Sequence, residues 1–139
     1  MYTIVTVCFC LGIAAFDLKT YRIPDTLLIS FILVIAVMEG DQPFPVMAAH
    51  LATALAVFLL FAAVWHFSRG IGFGDVKYAA ALGYILNPEM NIKALIFTAF
   101  LCIIVYTLGL LLFRWPKTTK IPFAPFLSAG AIFAVTGGI

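Results

Sequence analysis

Two aspartates have the residue type and the placement to carry out chemistry together. Asp17 and Asp75 each lie where a long apolar run meets a short basic loop. Only six of the 139 residues are acidic, so two carboxylates at the ends of apolar segments are unusual. An ionisable group in or near a lipid bilayer is unfavourable and by default marks a functional site. The pair therefore predicts acid–base chemistry done jointly.

Two neighbouring carboxylates supply an acid and a base at the same time. They cannot both ionise easily, so one keeps its proton while the other stays charged. The charged carboxylate can take a proton from an attacking water, and the protonated one can donate a hydrogen bond to a carbonyl oxygen. Hydrolysis of a peptide bond needs this combination.

Each of these aspartates also has a purely structural interpretation. Asp75 follows a glycine pair and precedes an apolar helix, where an aspartate caps the helix by accepting backbone N–H bonds. Asp17 could be an interfacial charge paired with Lys19 or Arg22. Local context alone leaves both interpretations open. Asp25 begins the second apolar segment, and we expect it to cap that helix or to pair with Arg22.

The composition is that of an integral membrane protein. The chain is 65% hydrophobic and 10% charged, with a mean hydropathy of +1.17, whereas a soluble domain is about half apolar and about a quarter charged. Its length predicts a single membrane-embedded domain, residues 1–139. Cys8, Cys10 and Cys102 lie in apolar runs without a Cys-x-x-Cys pair, so neither a metal site nor a disulfide framework is expected.

Six apolar segments predict an all-α fold, a bundle of six transmembrane helices, because helices satisfy their own backbone groups in lipid. We expect the first segment to be retained, since no basic region precedes it and a basic loop follows it. Segments one, two and four fall short of the roughly 20 residues that span a bilayer, so loop residues or local thinning must complete them. The predicted segments are residues 2–16, 24–38, 46–67, 75–86, 92–113 and 122–139.

Charge predicts the orientation of this bundle. Seven of the eight basic residues fall on one side of an alternating six-helix topology. The opposite loops have Lys93 as their only base, together with Glu39, Asp41 and Glu89. The positive-inside rule then places both termini outside the cytoplasm. Asp17, Asp25 and Asp75 all come to lie on the cytoplasmic side. The seven basic residues are Lys19, Arg22, Arg69, Lys77, Arg114, Lys117 and Lys120.

Three stretches resemble the type IV prepilin peptidase family, the membrane aspartic proteases that mature pilins and pseudopilins. Asp17 precedes an R-I-P stretch at residues 22–24, where the family carries an aspartate followed by R-I-P-N. The G-F-G-D stretch at residues 72–75, with Lys77 two residues on, matches the family's G-x-G-D-x-K element. Residues 121–126, I-P-F-A-P-F, resemble the proline-rich opening of its last helix.

This resemblance implies an endopeptidase that cleaves the basic leader from prepilins and pseudopilins. Its active site would face the cytoplasm from the bacterial inner membrane, and a substrate could enter laterally with its apolar helix still in lipid. The resemblance implies no cofactor, no metal and no nucleic-acid partner, and it leaves the oligomeric state open. It makes Asp17 and Asp75 the catalytic pair, with Gly72, Gly74, Arg22, Pro24 and Lys77 as supporting residues.

The chain also departs from the family pattern. Asp25 stands where the family usually has asparagine, and the paired Cys-x-x-Cys motifs of the larger bifunctional members are absent. The resemblance is therefore to the small, peptidase-only branch of tight-adherence (Flp-type) pilus systems, and N-methyl transfer is not expected. The presenilin group shares the G-x-G-D element but is much larger and lacks the R-I-P context.

Two functions without catalysis stay open at this point. In a proton-coupled carrier or small channel the carboxylates would relay protons, which requires aspartates near the middle of the membrane. In a structural subunit of a secretion apparatus they would support assembly, and another enzyme would process the leaders. The position of both aspartates at segment ends favours the peptidase.

Overall fold

The structure is a computed structural model that describes residues 2–68, 71–114 and 121–137. These residues form helices joined by short turns, with no β-strand among them, so the all-α prediction is confirmed. The helices are α1 (Tyr2–Thr20), α2 (Asp25–Met38), α3 (Phe44–Ser68), α4 (Phe73–Ile85), α5 (Pro88–Leu112) and α6 (Ala124–Val135).

Three of the described helices, α1, α3 and α5, are long and apolar enough to cross a membrane. Helices α2, α4 and α6 have 14, 13 and 12 residues and are shorter than a full span. The prediction that the first segment falls short was wrong, because α1 continues past residue 16 to a length of 19 residues. Lys19 lies in its last turn, where a cation interacts favourably with the helix dipole.

The ends of the helices follow from local sequence. Asn87 caps α5 by accepting a hydrogen bond from the Met90 N–H at 2.8 Å, and Pro88 occupies the first position of that helix. Pro24 precedes α2 in an extended conformation. Tyr21 turns the chain between α1 and α2 with a positive φ of 51°. This tight turn brings the start of α2 back beside the end of α1.

Helix α4 is the central helix of the bundle. It packs along α3 and also contacts α2, α5 and α6, while α6 packs between α1 and α5. Eight of the 13 residues of α4 are buried. By contrast, Leu55 and Leu59 on α3 and Ile96 and Ile103 on α5 are exposed, as expected of lipid-facing surfaces. A short helix therefore has more buried residues than any other described helix, and its first turn is fixed by neighbours on several sides.

Glycine allows α3 and α4 to approach each other closely. A Cβ atom built on Gly83 would lie 2.9 Å from the Cα of Ala54 and 3.2 Å from the Cβ of Val57. Small residues let helix backbones approach in this way in membranes, where van der Waals packing rather than the hydrophobic effect drives association. The contact fixes the position of α4 against α3.

Candidate active site

Asp17 lies in the last turns of α1, inside the helix and not in the loop after it. Its side chain is buried, with 5% of its surface exposed. The Oδ2 atom accepts a hydrogen bond from the backbone N–H of Ala124, the first residue of α6, at 3.3 Å. Free N–H groups at a helix N-terminus favour negative charge. The last helix therefore supplies a donor that holds this carboxylate in place.

The alternative interpretation of Asp17, an interfacial charge paired with Lys19 or Arg22, was wrong. No ion pair joins Asp17 to a basic residue within residues 2–68, 71–114 and 121–137. The physical reason is burial: the side chain points into the bundle, towards α6, whereas Lys19 and Arg22 are exposed.

Asp75 lies in the first turn of α4 and is also buried, with 9% of its surface exposed. Its Oδ2 accepts a hydrogen bond from the Gly72 N–H at 3.2 Å, and its own N–H donates to the Gly72 carbonyl oxygen at 3.0 Å. The capping interpretation is thus confirmed in that Asp75 accepts a backbone N–H at the start of α4, but it does so from the third residue of the helix, and Gly72 is the N-cap. The same bonds hold the carboxylate at a fixed point of the loop, so capping and chemistry are compatible.

The two carboxylates lie close enough for one to affect the titration of the other. Asp75 is outside the three helices that could span a membrane, and its pKa is raised from 3.8 to about 6. Burial is the largest cause, and the negative charge of Asp17 raises the pKa further, while the Gly72 N–H lowers it. The fold therefore brings together the two aspartates that the sequence selected, and it makes Asp75 easier to protonate than an ordinary carboxyl group.

This pKa predicts a pH-dependent difference in stability between the wild type and Asp75→Asn. A folded-state pKa above the ordinary value means that folding favours the protonated acid. Its contribution to stability is complete below about pH 4 and is lost as the pH rises through about 6. Asparagine is always neutral, so we expect the variant to melt at the wild-type temperature at pH 4 and above it at pH 7. Melting curves in detergent at both pH values measure the difference, and parallel curves would contradict it.

The two glycines before Asp75 differ in how tightly they are surrounded. A Cβ atom on Gly72 would lie 3.3 Å from Asp75 Oδ2 and would push on the carboxylate. A Cβ atom on Gly74 would meet Ile23 at an ordinary contact distance of 3.7 Å. The surrounding atoms therefore leave less room for a side chain at Gly72 than at Gly74. The contact with Ile23 places the R-I-P stretch directly against the start of α4.

Lys77 and Asp25 form an ion pair between α4 and α2. The Lys77 Nζ atom is 3.0 Å from both carboxylate oxygens of Asp25, and it lies 5.5 Å from the centre of the Phe73 ring. The expectation that Asp25 caps α2 or pairs with Arg22 was wrong, because α4 brings Lys77 alongside and the α2 cap has no side-chain bond. Both partners stay partly exposed.

The remaining supporting residues lie in the turn between α1 and α2. Pro24 is the residue that precedes α2, and Arg22 is exposed. The backbone carbonyl of Arg22 accepts a hydrogen bond from the Thr20 hydroxyl at 2.9 Å. This turn is thereby fixed at the same end of the bundle as Asp17.

Two aromatic contacts join α3 to the residues at the starts of α4 and α6. The rings of Trp65 and Phe73 are 5.5 Å apart, and those of Phe61 and Phe123 are 6.0 Å apart. No sequence pattern singles out Phe61 or Trp65, since both look like ordinary lipid-facing residues of an apolar helix. Within the described ranges, no three metal-ligating side chains come together.

The sequence also matches a described family. The type IV leader peptidase family matches residues 4–108. The chain belongs to this family. The matched region holds Asp17, Asp75 and the glycine loop, and it ends before α6, which supplies the Ala124 N–H.

Curated relatives include bifunctional members of the leader peptidase family. The prepilin leader peptidase/N-methyltransferase of Bacillus subtilis (strain 168) is 31% identical over 127 residues, which is 91% of this chain and 51% of that protein. Proteins of the same name from Burkholderia pseudomallei (strains 1026b and K96243) are 30% identical over 130 residues, 86% of this chain and 41% of theirs. The chain thus spans about half the length, or less, of these relatives. No solved structure matches it.

Proposed function

We propose that this protein is a membrane aspartic endopeptidase that removes the leader peptide of Flp-type prepilins and pseudopilins. The observation that carries the proposal is the buried pair of carboxylates, in which burial and the charge of Asp17 raise the pKa of Asp75 to about 6. An acid and a base at one place are what peptide hydrolysis by water requires. Membership of the leader peptidase family and the names of the relatives support this function.

We propose different roles for the two aspartates. The Ala124 N–H at the start of α6 favours the charged form of Asp17, so Asp17 is the base that takes a proton from the attacking water. Asp75 is the acid: its raised pKa lets a fraction of the protein keep a proton there near neutral pH, and that form donates a hydrogen bond to the carbonyl oxygen of the scissile bond. As the tetrahedral intermediate collapses, the proton on Asp17 passes to the leaving amine. The dyad is then ready for the next water.

The proposal includes a membrane topology. Six crossings with both termini outside the cytoplasm would place the carboxylates at the cytoplasmic face of a bacterial inner membrane. The basic residues at the ends of α1 and α4 support this orientation. Reporter fusions at each loop test it. The predicted cytoplasmic residues Arg69, Lys117 and Lys120 lie outside the described residues.

We further propose that the product keeps an unmethylated N-terminus. The matched relatives carry N-methyltransferase in their names, but this sequence has three cysteines and no paired Cys-x-x-Cys motif. Mass spectrometry of a mature pilin produced by the purified chain, with and without a methyl donor, tests this part. A mass increase that depends on the methyl donor would contradict it.

The test of the function is cleavage by the purified full chain in liposomes. The substrate is a prepilin with a basic leader ahead of its apolar helix, and N-terminal sequencing of the product identifies the bond. We expect a single cut between the leader and the helix. Proton flux across the liposomes without any cleavage would instead indicate a carrier. Intact prepilin together with a stable complex would indicate a structural subunit.

The ion pair between α2 and α4 provides a further prediction for this activity. Asp25→Asn and Lys77→Gln should each lower the cleavage rate about three- to tenfold, because the pair steadies the helix that carries Asp75. An exposed pair adds at most about 1 kcal/mol to stability, so melting should change little. The swapped variant Asp25→Lys/Lys77→Asp should recover most of the rate. If Lys77→Gln is inactive while Asp25→Asn cleaves normally, Lys77 does not act through Asp25.

A further inference from the structure

One turn below the two carboxylates, a buried hydrogen bond joins α4 to α6. The hydroxyl groups of Tyr78 and Ser128 are 2.7 Å apart. The Tyr78 side chain is completely buried, and Ser128 is 2% exposed. Burial keeps both hydroxyls from bulk water, so each depends on partners within the protein, and the Tyr78 hydroxyl also has the Cys10 thiol beside it.

This hydrogen bond lies one helical turn away from the proposed dyad. Tyr78 follows Asp75 by three residues on α4, and Ser128 follows Ala124 by four residues on α6. Residues three and four apart lie on the same face of a helix. The bond therefore joins the two helix faces that carry Asp75 and the N–H donor of Asp17, one turn deeper in the bundle.

Helix α1 also places a buried residue next to this hydrogen bond. Cys10 is completely buried, and its thiol lies beside the Tyr78 hydroxyl. It precedes Asp17 by seven residues, which is about two turns, so both lie on the inner face of α1. The three helices that contribute to the carboxylate site thus meet again around the hydroxyl of Tyr78.

We propose that Tyr78 is a positioning residue that sets the register of α4 against α6 and so holds Asp75 opposite Asp17. A buried hydroxyl without a partner is strongly unfavourable. A rotation or sliding of α4 would separate Tyr78 from Ser128, and the helices therefore keep the one register in which both are satisfied. The expected loss of activity rests on the proposed function, whereas the expected change in helix packing does not.

The kinetic test compares two tyrosine hydroxyls that form hydrogen bonds at opposite ends of α4. Tyr78→Phe keeps the ring and removes only the hydroxyl, and we expect kcat to fall about ten- to a hundredfold with KM changed less than about twofold. Tyr2→Phe is the matched control, because the Tyr2 hydroxyl donates to the carbonyl of Ile85 in the last turn of α4. We expect its kcat to equal that of the wild type. Equal kcat values for the two variants would overturn the proposal.

A double-variant cycle separates positioning from a general loss of stability. Ser128→Ala should lower kcat as much as Tyr78→Phe does, and the double variant should lose no more, because each change breaks the same bond. The double variant should regain melting temperature, since no buried hydroxyl is left unpaired. If kcat recovers together with the melting temperature, or if the two losses multiply, Tyr78 is not a positioning residue.

Hydrogen exchange tests the same bond without a substrate. In detergent, Tyr78→Phe should speed amide exchange at the N-terminal turns of both α4 and α6, and Tyr2→Phe should not. A wild-type protein that cleaves no prepilin would end the proposed function and leave this readout intact. Unchanged exchange in Tyr78→Phe would end the positioning role even if the wild type is an active peptidase.

Discussion

Asp75→Asn is expected to lower prepilin cleavage by about a thousandfold or more while leaving the fold intact. The amide oxygen of asparagine can still accept the hydrogen bond from Gly72, so the first turn of α4 stays closed. The variant cannot hold an acidic proton at this position, and the donor to the carbonyl oxygen is weakened. The variant lacks the carboxyl group whose pKa is raised, so it should be more stable than the wild type at neutral pH. A lower rate should therefore accompany a higher melting temperature.

Asp17→Asn should lower cleavage as severely for the complementary reason. Its amide oxygen can still accept from the Ala124 N–H, but a neutral amide cannot take a proton from water. Asp41→Asn, on the opposite side of the predicted topology, is the control and should cleave at the wild-type rate. Membrane insertion and melting curves of all variants establish that they fold. Processing by either dyad variant at a rate near that of the wild type would rule out the two-aspartate mechanism.

The choice of Asp17 and Asp75 shows what the sequence could predict. Charged residues are rare in this chain, so their positions carry much information, and apolar runs divided by proline and basic loops predict helices directly. The end of α1 was predicted too early because a charged residue was taken as the end of the helix. Nothing in local sequence prevents a buried aspartate from continuing a helix when another element supplies its hydrogen-bond donor.

The partners of the site could not be predicted, because they come from other helices or from the backbone. Lys77 replaces Arg22 as the partner of Asp25 only because α4 lies beside α2. The donor to Asp17 is a main-chain N–H, which no side-chain pattern indicates, although the proline-rich stretch did mark the start of the helix that provides it. Residue types indicated the proposed reacting groups, and three-dimensional packing determined what holds them.

The contact between α5 and α6 is the place where one added methyl group should do the most damage to the fold. A Cβ atom on Gly130 would overlap both the Thr98 hydroxyl oxygen and the Ala94 carbonyl oxygen. Neither can move away easily, because the Thr98 hydroxyl donates to the Ala94 carbonyl at 2.8 Å and also bonds the Phe126 carbonyl at 3.2 Å. An alanine at this position therefore forces α6 away from α5.

Gly130→Ala is accordingly expected to lower the free energy of unfolding by about 1 to 3 kcal/mol, the usual effect of overpacking, although alanine favours a helix by about 1 kcal/mol over glycine. Gly12→Ala is the matched control, since Gly12 lies within α1 and a Cβ atom there meets nothing within 4 Å. It should leave stability unchanged or raise it. Denaturation in mixed detergent measures both.

Because α6 also positions the Ala124 N–H against Asp17, Gly130→Ala should lower the cleavage rate even in the fraction that stays folded. Equal stability of the two variants would mean that α5 and α6 do not pack through Gly130.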